Sequence, residues 1–225
     1  MPMKGSGPAA DWREIDRYDD GVGWLAHPDE EMQRASHALV EDDEVWLVDP
    51  VDVPDLDDFL AELGEVAGVA VLLDRHKRDA AAIANRHDVP VVLPRALRAI
   101  RDDFDAPVEV TAGSIAGLQQ ITIHKNPLWR EVALFDPDEK TLVVPEAVGT
   151  VDYYCAPGEM LGVHPMLRAF PPRDALGNLD PERLLVGHGE GILTDAAGEL
   201  ANALRGSRSR MLSLYGGILR GRLGR

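Results

Sequence analysis

The stretch that decides the fold is "GVAVLLDRHKRDAAAIANRHDVPVVLP", residues 68–94. It opens on an apolar run at 68–73, the length of a buried strand. The alanine-rich segment at 78–87 has the composition of a short helix, and "VPVVLP" at 89–94 reads as the next strand. Between first strand and helix lies a polar knot: Asp74, Arg75, His76, Lys77, Arg78 and Asp79. Taken alone, that knot reads as a solvated helix start, with Asp74 as cap and the bases facing water.

Working outward, residues 38–40 and 45–48 flank an acidic turn in the manner of a hairpin. Leu56, Phe59, Leu60 and Leu63 then share one helical face, and Pro54 suits a first turn. A further short helix is predicted at 95–104. Beyond it the texture becomes a run of successive strands: "VEVTAG", "LQQITIHK", "EVALFDP" and "KTLVVPEAV", with a hairpin at "DPDEK". "RLLVGHGEGI" at 183–192 is one more strand with a Gly-rich turn, and Thr194 is a fair N-cap for the helix of 195–204. No repeat or composition break divides the chain. The economical reading is a tail at 1–10, expected to be disordered, and one α/β domain from 11 to 225.

Composition bounds the function. A chain of 225 residues fits one well-filled core. No apolar run approaches the ~18 residues of a membrane span, so membrane insertion is not expected. "MPMKGSGPAADW" lacks a secretory apolar core, which points to the cytoplasm. A lone cysteine, Cys155, excludes an internal disulfide framework and a cysteine-based zinc site. The net charge is −16, with 24 Asp, 15 Glu, 19 Arg and only 4 Lys. Such an acidic surface suits a high-salt cytoplasm, with an ordinary acidic enzyme as the alternative, and disfavours nucleic acid as partner of the body. From about residue 196 the balance reverses, with Glu199 against Arg205, Arg208, Arg210, Arg220, Arg222 and Arg225. That end reads as a helix on the acidic body, or as a basic tail for anionic lipid or nucleic acid. A homodimer is compatible with the surface. No phosphate loop, nucleophile elbow or dinucleotide fingerprint is present.

The order of pieces from about residue 38 to 204 resembles the metallo-β-lactamase fold family. "VWLVDP" with Asp49 resembles the family's early hairpin strand, and "DRHKRD" falls on its His-x-His-x-Asp-His signature. His76 matches the second His there. Asp74 stands at the first His, Arg78 at the Asp and Asp79 at the third His. The loop that carries a later His ligand falls near Pro127, with His124 the nearest imidazole. "VVPEAV" puts Glu146 in place of a bridging Asp, and "LLVGHGEGI" keeps the last His as His188. The resemblance implies a four-layer αβ/βα sandwich.

Carboxylates can ligate a divalent ion, so His76, His188, Glu146, Asp74 and Asp79 form the candidate ligand set. Arg78 differs: a guanidinium offers no lone pair and repels a cation, and salt bridges to Asp79 or Glu146 are expected instead. Two functions follow. One is a protein whose degenerate site lacks dinuclear zinc catalysis and keeps an Arg/carboxylate/His pocket for a small molecule, without metal. The other is a hydrolase of an ester, thioester or related bond with one Zn, Mn or Fe ion and Asp79 or Asp74 as base. His124 and His164 are candidate pocket residues. His27, His37 and His87 read as surface residues, and Tyr153, Tyr154 and Cys155 as packing.

Overall fold

Valine-rich strands that are apolar on both faces need cover on both. The chain supplies it with helices on one side and a second sheet on the other. The computed structural model describes residues 2–5, 7 and 9–223, with side chains up to residue 219. The first sheet holds β1 (Arg13–Tyr18), β2 (Gly21–Leu25), β3 (Ala35–Glu41), β4 (Glu44–Val48), β5 (Glu65–Ala70), β6 (Val91–Pro94) and β7 (Val108–Thr111), in that order. Its strands run antiparallel from β1 to β4 and parallel from β4 to β7. Helix α1 (Leu56–Ala61) links β4 to β5, and α2 (Ala80–His87) links β5 to β6.

The second sheet starts with β8 (Gln119–Asn126), β9 (Trp129–Asp136) and β10 (Thr141–Val144), all antiparallel. A small pair, β11 (Val148–Gly149) and β12 (Gly162–Val163), and helix α3 (Arg173–Leu176) follow. Strand β13 (Arg183–Val186) then joins β10 in parallel, and α4 (Ala196–Gly206) and α5 (Met211–Leu223) close the chain.

Between the sheets, Leu39, Val48, Leu72 and Val92 pack against Leu134, Val143 and Leu185. Outside the first sheet, Leu47, Val69 and Val91 meet Leu56 and Leu60 of α1 and Ile83 and Ala84 of α2. Outside the second, Leu142, Val144 and Leu184 meet Leu176 of α3 and Leu200 and Leu204 of α4. The result is the four-layer αβ/βα sandwich.

Several local expectations need correction. The helix expected at 95–104 is a 3₁₀ segment, Arg95–Asp103, whose buried Leu97 and Ile100 stand three residues apart, the 3₁₀ period. "VEVTAG" leaves the antiparallel run and closes the first sheet as β7, parallel to β6. The cap of α4 is Asp195 in a left-handed conformation, not Thr194. Its first N–H groups are satisfied by Glu182 O and Pro181 O, so no side-chain cap is required. The β1–β2 hairpin, which no alternation marks, turns at Asp19 and Asp20. His37 is buried rather than at the surface, with Nε2 3.0 Å from Val186 O.

In the segment expected to be disordered, residues 1, 6 and 8 lie outside the described residues. Pro2 O and Met3 O accept from Glu31 N and Met32 N, and Gly5 N donates to Glu30 Oε2. The basic end from residue 196 forms α4 and α5, where Arg210 pairs with Glu159 at 3.1 Å. The side chains of Arg220, Arg222 and Arg225 lie outside the described residues.

What positions the site is the junction of the two sheets at the carboxyl ends of β4, β5, β10 and β13. Val132 N donates to Leu72 O at 3.0 Å, and Asp74 N donates to Arg130 O at 3.2 Å. Ala35 N donates to Gly187 O at 3.0 Å, and Gly189 N donates to Gln33 O at 2.9 Å. Backbone leaving a strand's carboxyl end is the usual place for a ligand in sheets with parallel strands. Here those exits carry Asp49, the knot of 74–79, Glu146 and His188. The glycines flanking His188 are required: a Cβ on Gly187 would lie 2.1 Å from Pro145 O, and Gly189 has φ +93°.

Candidate metal centre

His76, Glu146 and His188 converge, each offering one ligand atom, with these atoms all within 4.8 Å of one another. All three residues are buried. The outer nitrogens of the two imidazoles are committed elsewhere. His76 Nδ1 lies 2.9 Å from Asp49 Oδ2, and Asp49 Oδ1 accepts from Leu72 N at 2.9 Å. His188 Nδ1 lies 2.8 Å from the carbonyl oxygen of Met32. A carbonyl only accepts, so the His188 proton sits on Nδ1 and a lone pair remains on Nε2.

That lone pair faces a carboxylate. His188 Nε2 stands 3.7 Å from Glu146 Oε2, and among the described residues this buried nitrogen has no hydrogen-bond partner. His76 Nε2 is 3.0 Å from the same oxygen. Burial pushes His188 down to about 4, against the opposing pull of Glu146, so the ring is neutral at neutral pH. Burial opposes ionisation of Glu146, but the imidazole of His76, with Nε2 3.0 Å from Oε2, outweighs it and holds the carboxyl below the ordinary carboxylate range.

His164 carries the opposite tautomer. Its Nδ1 accepts from Met166 N at 3.2 Å, so its proton sits on Nε2, 3.5 Å from Glu146 Oε1. Burial lowers it to about 4, so it is a neutral donor beside the cluster. The rings of Trp129 and Tyr154 meet it edge-on at 4.9 and 5.0 Å, and wall off this side. Tyr154 is fully buried, and Tyr153 and Cys155 pack beside it.

Glu131 of β9 supports the arrangement from below. One of its oxygens accepts from Glu146 N at 2.8 Å and Ala147 N at 2.7 Å, and the other accepts from Trp129 Nε1 at 2.7 Å. Burial outweighs these donors and raises the group to about 7.

The remaining residues singled out in the sequence sit elsewhere. Asp79 Oδ2 accepts from Asp52 N at 2.9 Å, and Asp74 lies between Arg75 at 3.6 Å and Arg130 at 3.7 Å. Neither belongs to the converging group. Arg78 does not bridge to Asp79 or Glu146. Its guanidinium donates to Ala35 O at 2.5 Å, Asp49 O at 2.6 Å and Gly187 O at 3.2 Å, tying together the backbone that carries the site. Charge without lone pairs suits it to carbonyls, which is why Arg78 ends among them. His124 stacks edge-on against Trp129 at 5.8 Å, with a buried Nε2 that has no partner among the described residues.

Sequence reasoning singled out His76, Glu146, His188 and His164, and passed over Asp49, Met32 and Glu131 as supports. Asp49 carried one local signal, an acid at the end of an otherwise apolar strand; Met32 acts through its backbone and carried none.

No family model matches the sequence, and no curated protein matches it. Solved structures do match in fold. DIM-1 metallo-β-lactamase is 10% identical with a TM-score of 0.61, covering 92% of this chain and 99% of that one. VMB-1 is 11% identical with a TM-score of 0.57, covering 90% of this chain and 97% of that one. The flavodiiron protein from Giardia intestinalis is 15% identical with a TM-score of 0.57, and the match covers 78% of this chain and 52% of that longer one.

Proposed function

From the metallo-β-lactamase fold that this chain has, we propose a metal-dependent hydrolase whose single divalent cation is held by His76, His188 and Glu146. The observation that carries the reading is the His188 nitrogen. A buried lone pair directed at a carboxylate, with no proton between them, is a contact that a cation relieves. The donor set of two imidazoles and a carboxylate fits Zn, Mn or Fe. Asp49 and the Met32 carbonyl hold the two rings in the tautomer that ligation requires.

When bound, the cation supplies Lewis-acid chemistry to hydrolysis of an ester, thioester or related bond in a small molecule. The chain's own groups do the rest. Asp49 fixes the His76 ring, Glu131 fixes the backbone of Glu146, and His164 keeps a proton on Nε2 beside the reacting site. Trp129 and Tyr154 exclude water from one side. Asp79 is held by the Asp52 amide, and Asp74 faces Arg75 and Arg130 rather than the converging group, so neither belongs to the proposed ligand set.

The test is metal content by elemental mass spectrometry after purification without chelators. About one ion per chain is expected. It should be lost in His188→Ala and Glu146→Gln variants that keep their circular dichroism. No metal after incubation with Zn²⁺, Mn²⁺ and Fe²⁺ overturns the reading.

A second reading has one observation in its favour. His76 lies 2.9 Å from Asp49 and 3.0 Å from Glu146, so a doubly paired imidazolium would make a metal-free polar pocket. For the setting, the acidic composition supports a high-salt cytoplasm, and the surface is compatible with a homodimer. Among the described residues no helix is long and apolar enough to cross a membrane.

A further inference from the structure

The cluster is buried, and the charged side chain at its edge toward solvent is Arg75, 39% exposed. Its guanidinium lies over the Trp129 ring, with Cζ 4.1 Å from the centroid. Its polar contacts are all long: Glu146 Oε1 at 3.4 Å, Leu128 O at 3.5 Å and Asp74 Oδ1 at 3.6 Å. A guanidinium has five N–H donors in a fixed fork, and none of these contacts engages the fork at short range. The cation is held in place by the aromatic face while its hydrogen-bonding capacity stays unspent.

An independent observation points the same way. On the adjoining β8–β9 hairpin, Lys125 stands directly opposite Arg130 in the strand register. Like charges in that position destabilise a sheet unless an anion compensates them. Arg130 reaches Asp74 only at 3.7 Å, and the exposed Lys125 has no ion-pair partner among the described residues. In a chain of net charge −16, this rim is a local reversal of sign. Asp74 and Glu146 are the acids that face it.

We propose that the substrate carries an anionic group, a carboxylate or phosphate, and that Arg75 binds it by exchanging Glu146 for the incoming anion. Trp129 keeps the guanidinium flat during the exchange, and Lys125 and Arg130 raise the local potential that draws the anion in. The inference deepens the proposed function, because it takes the cluster beneath Arg75 as the reacting site. Anion binding itself needs no metal.

The test is ¹⁹F NMR of full-length protein labelled with 5-fluorotryptophan, with Trp129→Phe assigning the resonance. Inorganic phosphate and acetate are titrated separately at constant ionic strength, with trimethyl phosphate and acetamide as neutral controls, with and without Zn²⁺. A saturable shift of the Trp129 resonance is expected with one or both anions and with neither control. Affinity should fall about tenfold or more in Arg75→Gln, while the other three tryptophan resonances stay in place as a check of folding. The arm that responds identifies the group as phosphate or carboxylate. A Trp129 resonance unmoved by both anions, or moved equally in Arg75→Gln, overturns the inference. An anion response in a protein that binds no metal upholds it and removes only the metal reading; metal binding without an anion response does the reverse.

Discussion

Asp49 Oδ2 and His76 Nδ1 meet at 2.9 Å, while the other Asp49 oxygen is held by Leu72 N at the same distance. One carboxylate therefore anchors the backbone just beyond β5 and sets the tautomer of the imidazole that follows. Asp49 has a positive φ of 46°, a conformation that a residue keeps only where its surroundings hold it.

Asp49→Asn separates the two duties. The amide oxygen keeps the Leu72 N–H, so the NH₂ must face His76 Nδ1 and force the ring proton onto Nε2. The ligand lone pair is then gone while the backbone anchor remains. Metal affinity should fall 10–100-fold with little loss of stability, measured by competition against a chromophoric chelator. Unchanged affinity would remove Asp49 from the site.

Arg78 binds three backbone carbonyls, those of Ala35, Asp49 and Gly187. Arg78→Met should cost about 2–4 kcal/mol, as charged hydrogen bonds to buried acceptors are lost. Arg78→Lys keeps the charge without the planar fork, and should recover less than half of that. Full recovery by lysine in urea unfolding would show that charge, not geometry, is what Arg78 supplies.

Glu131 accepts from three N–H donors, two on the Glu146–Ala147 backbone and one on Trp129. In Glu131→Gln the amide oxygen can serve one side only, and the NH₂ then opposes a donor on the other. The expected cost is about 1–3 kcal/mol, or roughly 2–4 °C of Tm per kcal/mol for a chain of this size. The loss should come with a changed Trp129 environment, and an undisturbed Trp129 signal would contradict the geometry.

Two buried groups away from the ligands titrate with opposite effects on stability. Burial pushes His37 down to about 4, so the unfolded chain binds its proton first and stability is lost as pH falls from about 6.5 to about 4. Burial raises Asp16 to about 6 although Gly191 N donates to it, so the folded chain binds the proton first. Its stabilising protonation is lost as pH rises from about 3.8 to about 6. Over the shared window the slopes oppose, each about 1.4 kcal/mol per pH unit at most. His37→Gln should therefore become relatively more stable than wild type toward acid, and Asp16→Asn relatively less. Parallel Tm-versus-pH curves for both variants and wild type would refute the assignment.

The sequence by itself determined the strands, since valine-rich runs at β5, β6 and β10 suit buried strands. It pointed to His76, Glu146 and His188 only through the resemblance to a known fold, because the polar knot taken alone reads as a solvated helix start. Tertiary structure alone decided which nitrogen of each histidine is free. The partners that hold the protons lie 27 residues away for His76 and 156 for His188, and one of them is a backbone carbonyl, which carries no side-chain signature. It also decided that Arg78 turns to carbonyls and Asp79 to the Asp52 amide. A charged side chain takes whichever buried partner packing brings within reach, and that partner is known only once the two sheets have closed on each other.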